Sequence, residues 1–303
     1  MAGDLAKVVV IVGPTASGKT ALSLSLAKEF NGEIISADSR QIYQEMDIGT
    51  AKATKIELNG MKHYLIDIKK PDADYSAGQF KKDALQAIRQ ILKQKKLPIV
   101  VGGTGLYIST LVNNLNIPEA KEDKKLRTKL EKEIEEKGLG QVFKKLVELD
   151  PEAAYVVDPK NRRRVVRALE VALLTGQTFT SQRKKGEPLF DFVQIGIRGT
   201  PETLKRKIEE RAHRMYGDGL IEEVRKLIAK YGRKPKAFEA IGYREIIDYL
   251  DGKITLEESR AQMIKNTWQY ARRQLSWFNK DKKVKWVNNK KEAMGLASKF
   301  LKA

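Results

Sequence analysis

Five consecutive apolar residues, Val8-Val9-Val10-Ile11-Val12, stand between Lys7 and Gly13, and a different spacing begins after them. An unbroken β-branched run of that length predicts a strand buried on both faces, and Leu22 and Leu26, four apart, predict a helix over residues 20–30. The same alternation recurs. Residues 33–37, 64–68 and 97–101 read as further strands, with a helical pattern over residues 80–94. Strands alternating with helices predict an α/β fold with a doubly wound parallel sheet, in which ligands gather beyond the carboxyl ends of the strands.

Near residue 116 the strand signal stops. Leu126, Leu130 and Ile134 recur every four residues up to Gly138, and Val142, Phe143, Leu146 and Val147 mark another amphipathic stretch. Asp150-Pro151 and Asp158-Pro159 each read as an N-cap followed by proline at the first helical position, and Gly176 as the stop of a helix over residues 162–175. Residues 116–195 are therefore expected to form a helical insertion, dividing the core into residues 1–115 and 196–303. Strands over residues 192–197 and 284–287 are expected to return the chain to the sheet, with helices from Thr200 onward.

The first strand runs directly into Gly13-Pro14-Thr15-Ala16-Ser17-Gly18-Lys19-Thr20, a complete phosphate loop, so the expected fold is P-loop NTPase-like. Its glycines let backbone N–H groups turn around an anion at a helix N-terminus. Lys19 supplies a point charge for the outer phosphate, and the Thr20 hydroxyl can ligate Mg²⁺. The second strand runs into Asp38-Ser39-Arg40-Gln41 and the fourth into Gly102-Gly103-Thr104-Gly105. Asp38 is open to two readings, a cap for a helix beginning near Ser39 or a carboxylate acting as base or steering Mg²⁺. The glycines after the fourth strand read either as a tight turn or as bare backbone for close approach of substrate.

Arg211 carries a related ambiguity. Leu204, Ile208 and Met215 define an apolar stripe, and at 100° per residue Arg211 falls within it. A guanidinium there needs an anion, either a bound phosphate or a structural carboxylate. The usual NTPase aspartate is missing after the fourth strand, leaving Asp67 as a weak candidate and disfavouring an ATP motor.

Charge changes the picture further. The chain carries +19, and residues 196–303 alone hold 26 basic against 14 acidic side chains. Clusters at Arg162-Arg163-Arg164 with Arg167, Arg183-Lys184-Lys185, Arg272-Arg273 and Lys280 to Lys285 suit a polyanion such as nucleic acid. No cysteine is present, and with His63 and His213 the only histidines, thiolate and histidine-rich metal sites are not expected. No signal peptide or membrane span is read. The expectation is a cytoplasmic monomer using at most Mg²⁺. Three classes remain open: a P-loop kinase acting on a nucleotide or small molecule, a transferase using another diphosphate, and a nucleotide-dependent nucleic-acid switch.

Seven segments in order narrow these classes: the phosphate loop; Ile35-Ser36-Ala37-Asp38-Ser39 with Gln41-Ile42-Tyr43; Met46 through Lys52; Val101 through Tyr107; Arg167 through Val171; Ile241 through Glu245; and Arg272-Arg273-Gln274-Leu275-Ser276-Trp277-Phe278. In these the whole chain resembles the bacterial tRNA dimethylallyltransferases, or tRNA isopentenyltransferases. The resemblance implies transfer of a dimethylallyl group from dimethylallyl diphosphate to the exocyclic amine of the adenine 3′ to the anticodon, with Mg²⁺ and release of diphosphate. It also implies Asp38 as base, with Thr15 and Arg211 stabilising the leaving diphosphate held by residues 13–20. Asp38, Ser39, Arg40, Gln41 and Thr104 would meet the flipped adenine or its tRNA. Arg162, Arg163, Arg164 and Arg167 would grip the anticodon stem-loop.

Overall fold

The structure, a computed structural model, describes residues 5–58, 60–117, 122–181 and 184–303. Arg183 lies outside them. By internal contact the chain divides into two compact units: Val112–Pro188, and the remainder on either side of it.

The larger unit begins β1 (Lys7–Val12), α1 (Lys19–Glu29), β2 (Gly32–Ser36), α2 (Lys55–Leu58), β3 (His63–Tyr64), α3 (Ala77–Lys93), β4 (Leu97–Gly102) and α4 (Gly105–Val112). The smaller unit holds α5 (Lys124–Lys137), α6 (Leu139–Leu149), α7 (Ala153–Val156) and α8 (Arg162–Thr175). The chain then returns as β5 (Asp191–Ile197), α9 (Pro201–Gly217), α10 (Leu220–Tyr231), a 3-10 turn at Lys236–Glu239, α11 (Tyr243–Leu250), α12 (Leu256–Phe278), β6 (Val284–Val287) and α13 (Lys290–Lys302).

All six strands are parallel, in the order β3-β2-β4-β1-β5-β6. Period-two alternation sends Val9, Ile11, Ile34, Ile99, Val193 and Ile195 to a face packed with Leu22, Leu26, Ala293 and Ala297 of α1 and α13. The opposite face of β2 and β4 is covered by α3, which buries Phe80, Ala84 and Ile88. A second apolar cluster joins Ile42, Tyr43 and Met46 to α9 through α12, with Met215, Leu220, Phe238, Tyr243 and Met263 fully or nearly buried. This cluster fixes the loop after β2.

The smaller unit has its own core, built from Leu130, Ile134, Val142, Leu146, Val165 and Leu169. Gly176 ends α8 in the left-handed region at φ 65°, as read from sequence. The two Asp-Pro expectations fail. Asn161, not Asp158, caps α8, while Asp158 closes a turn at Lys160 N–H. Asp150 is buried and accepts from the Thr180 hydroxyl and N–H, so a long-range tie outcompetes the local cap. The expected strand over residues 64–68 also shrinks to His63–Tyr64. Leu65 and Asp67 have φ of 63° and 57°, which no ladder accommodates. Among the described residues no helix is long and apolar enough to cross a membrane.

Candidate active site

Three neighbouring strands deliver the site. With β4 between β2 and β1, and Ser36, Val101 and Ile11 in one register row, the loops beginning at Ala37, Gly103 and Gly13 emerge side by side. Gly13 has φ 145°, and a Cβ there would strike the Ile197 carbonyl, so the loop's first position excludes side chains. Ala16 sits at φ 64°, a conformation held by packing against Leu204, Ile208 and Ala271.

The charges around this loop are unequal. The Lys19 ammonium donates to the Pro14 carbonyl at 2.5 Å, and burial, then the nearby Arg211 guanidinium, pull it down to about 7, with Asp38 opposing. Burial and Arg214 lower Arg211 as well, again against Asp38. Arg211 donates to the Thr15 hydroxyl at 3.1 Å, and among the described residues neither Arg211 nor Lys19 forms an ion pair. Arg211 thus reaches into the site as its place on the α9 stripe predicts, and the structural-carboxylate alternative does not hold. Cations drawn together in a desolvated place can hold an anion. The Ser17 hydroxyl is buried there without a partner.

Asp38 faces these cations from β2. The helix expected near Ser39 is absent: residues 39–45 form turns around an isolated bridge from Tyr43 to Lys69. Asp38 caps the first turn with one oxygen, Oδ1, which accepts from Arg40 N–H at 2.8 Å and Gln41 N–H at 3.3 Å. Oδ2 keeps its acceptor capacity. The cap reading thus holds for a turn in place of a helix, and it occupies one oxygen only.

The remaining predicted acceptor-side residues divide. Thr104 accepts from Ser39 N–H at 3.1 Å, joining the loops after β2 and β4. Arg40 instead donates to the Lys236 and Ala237 carbonyls, and Gln41 to those of Thr50 and Ala51. Asp67 is no metal ligand here, because its carboxylate pairs with the buried Lys52, which also holds Asp47 and the Tyr43 carbonyl. Thr20 is exposed at the start of α1. No three His, Cys, Asp or Glu side chains converge on a metal position among the described residues.

Several residues went unread in the sequence. Gln274 on α12 accepts from Thr15 N–H at 2.7 Å and donates to the Gly103 carbonyl at 2.9 Å. One turn earlier, Tyr270 contacts Thr104 and Gln274, and burial together with Asp38 pushes its hydroxyl up to about 12, keeping it a neutral donor. Tyr107, stacked on Phe80 with ring centroids 4.2 Å apart, is raised mainly by burial, with Tyr43 and Asp38 adding to the shift. Glu223 accepts from the N–H groups of Asp47, Ile48 and Gly49 and from the Tyr243 hydroxyl, pinning the loop after β2. The legible signal was Gln274 itself, a polar residue three and four positions from buried Ala271 and Phe278.

In the smaller unit the four predicted arginines on α8 differ. Arg162 pairs with Glu131 and Glu135, and Arg167 donates to fully buried Glu170 at 2.6 Å. Arg163 and Arg164 are exposed. Burial opposes ionisation of Glu170, yet bonds from Arg127, Arg167 and the Asp123 N–H hold its carboxyl below the usual range.

Residues 41–281 match the family model described as IPP transferase. A tRNA dimethylallyltransferase of Acetivibrio thermocellus is 46% identical over 285 residues, covering 93% of this chain and 91% of the relative. The full-length tRNA isopentenylpyrophosphate transferase of Bacillus halodurans superposes with a TM-score of 0.73 at 39% identity, covering 97% of this chain and 95% of that one. A eukaryotic dimethylallyltransferase acting on tRNA superposes with a TM-score of 0.83 at 28% identity, over 98% of this chain and 80% of its own.

Proposed function

The chain belongs to the IPP transferase family and is a tRNA-prenylating transferase, and from that premise we propose its donor, its acceptor atom and the roles of its residues. The donor is dimethylallyl diphosphate, and the acceptor is the exocyclic amine of the adenine 3′ to the anticodon. One observation carries the donor assignment: Arg211 at the Thr15 hydroxyl lies near enough to lower Lys19 at the Pro14 carbonyl, and among the described residues neither forms an ion pair, so the charge they await belongs to a ligand. A kinase could also use an aspartate facing its outer phosphate as a base, so it is the family match and the names of the relatives that leave the kinase alternative not favoured.

In this reading the amine nitrogen bonds to the first carbon of the dimethylallyl group as that carbon's bond to the diphosphate oxygen breaks. Asp38 Oδ2 takes the amine proton. The turn hydrogen bonds on Oδ1 fix the direction of the free oxygen without loading it. Lys19, Arg211 and the loop N–H groups receive the charge that develops on the leaving diphosphate, the place where preorganised donors lower a barrier most. The adenine leaves its stack to reach Asp38, at the cost of a few kcal/mol typical of base flipping. Mg²⁺ fits this donor set without a protein cage, since it keeps several waters and substrate phosphate oxygens. Thr20 would hold it, and it would supply Lewis-acid neutralisation of the diphosphate. Arg163 and Arg164 contact backbone phosphates of the anticodon stem, and Arg162 and Arg167 shape the helix that presents them. Every group named lies on one chain, so a monomer suffices.

The test is incubation of the protein with bulk unmodified tRNA and labelled dimethylallyl diphosphate, with and without ATP. Label recovered in adenosine without ATP supports the assignment. A requirement for ATP, or transfer of its γ-phosphate, would overturn it.

A further inference from the structure

The amide of Gln274 is 6% exposed and spends both of its ends on backbone groups of different loops. Thr15 offers an N–H and Gly103 a carbonyl, so only one orientation of the amide satisfies both, Oε1 toward Thr15 and Nε2 toward Gly103. The fit is close. A Cβ on Gly103 would run into Nε2, which accounts for glycine at that position. Ala271 and Phe278, buried on the same face of α12, hold the backbone from which Gln274 reaches.

Each loop also carries a group facing the reaction. The Thr15 hydroxyl receives Arg211 at 3.1 Å. After Gly103, Thr104 receives the Ser39 N–H at 3.1 Å, directly beside Asp38. Tyr270, one turn before Gln274, contacts both Thr104 and the Gln274 amide. A short path of hydrogen bonds therefore runs from Arg211 through Thr15, Gln274, Gly103 and Thr104 to the turn that Asp38 closes.

We propose that Gln274 is a positioning residue for the transfer step, holding the diphosphate loop in register with the loop that carries the acceptor's base. The inference rests on the site reading above and assigns Gln274 no contact with either substrate. Its contribution is distance and angle between electrophile and amine, so its loss falls on the rate of the bound complex rather than on binding. A displacement near 1 Å between reacting groups costs on the order of 10²-fold in rate.

The test measures single-turnover transfer at saturating tRNA and dimethylallyl diphosphate, with equilibrium affinity for each substrate, in Gln274→Glu and Gln274→Asn. Glutamate keeps an acceptor for Thr15 but sets an oxygen against the Gly103 carbonyl. Asparagine keeps both functions one methylene short, so it reaches one loop only. Both should slow the bound complex by about 10- to 100-fold, with each affinity within about threefold of the parent (roughly 0.6 kcal/mol). An unchanged saturated rate, or a loss confined to the affinities, would overturn the proposal. So would failure of both variants to fold, since Gln274 would then be a structural requirement. If Gln274→Glu alone unfolds, the split measured on Gln274→Asn decides. Asp38→Asn run in parallel separates the two claims: normal transfer there removes the base assignment while leaving the rate-affinity split of the Gln274 variants readable.

Discussion

The surroundings of the phosphate loop and the hub around Glu170 treat arginine in opposite ways. At the loop, Arg211 and Lys19 are drawn together with a hydroxyl and a carbonyl as their hydrogen-bond partners, and both are lowered by burial. At the hub, Arg127 and Arg167 converge on one buried carboxylate that is held ionised. The first arrangement shows no ion pair for either cation among the described residues, and the second is complete within the fold. Cationic side chains thus report function only when their counter-charge is missing, and a count of basic residues cannot separate the two cases.

The largest expected effect breaks the comparison on its catalytic side. Asp38→Asn keeps the turn's acceptor oxygen and should reduce transfer by about 10²- to 10⁴-fold, with tRNA affinity changed far less. A normal rate would reduce Asp38 to a turn cap. Glu170→Ala attacks the completed arrangement, leaving Arg127 and Arg167 without their buried anion at a cost of about 3–5 kcal/mol. Hydrogen exchange should quicken at Leu146 and Val165 in the smaller unit, and unchanged protection there would show that the hub carries little stability.

Arg211→Ala sharpens the contrast from the other direction. Loss of one charged hydrogen-bonding partner, about 1.5–3 kcal/mol, should weaken binding of inorganic diphosphate by about 10- to 100-fold while the protein stays folded. An Arg211→Ala protein that merely unfolds would class Arg211 with Arg167. For Lys19 the prediction is one of sign. Its folded value, near 7, lies below 10.5, so the unfolded chain binds more protons between those values and stability should rise with pH across that window. Urea denaturation at pH 7 and pH 9 should show a larger gain in the parent than in Lys19→Met, and equal gains would mean that the ammonium is not desolvated. The smallest effect concerns exposed Arg164. Its replacement by alanine should lower the salt slope of tRNA binding by about one, against no change for a residue that touches no phosphate.

How much could be read beforehand follows the same physics. The β1–phosphate loop–α1 unit was legible because one short segment contains both its periodicity and its chemistry. Arg211 was legible because a charge on an apolar stripe violates a local rule. The Asp150 tie to Thr180 and the Glu223 clamp on residues 47–49 were not, since their partners lie 30 or more residues away, while the Asp38 cap was read but assigned to a helix where the structure has a turn. Gln274 stood inside a segment already noticed, yet its role needed two loops that only the sheet brings together.

The strand order has a metric consequence. Neighbouring strands lie about 4.8 Å apart, so β2 and β1, on either side of β4, are separated by about 10 Å. The sheet acts as a ruler with one end at Asp38 and the other at the phosphate loop, and β4 supplies the spacing with a bare glycine at its tip. On the proposed donor and acceptor, the interval suits an amine, a short carbon skeleton and a phosphate laid end to end; backbone hydrogen bonds set its coarse length at the strand ends, and side chains such as Gln274 adjust the loops beyond them.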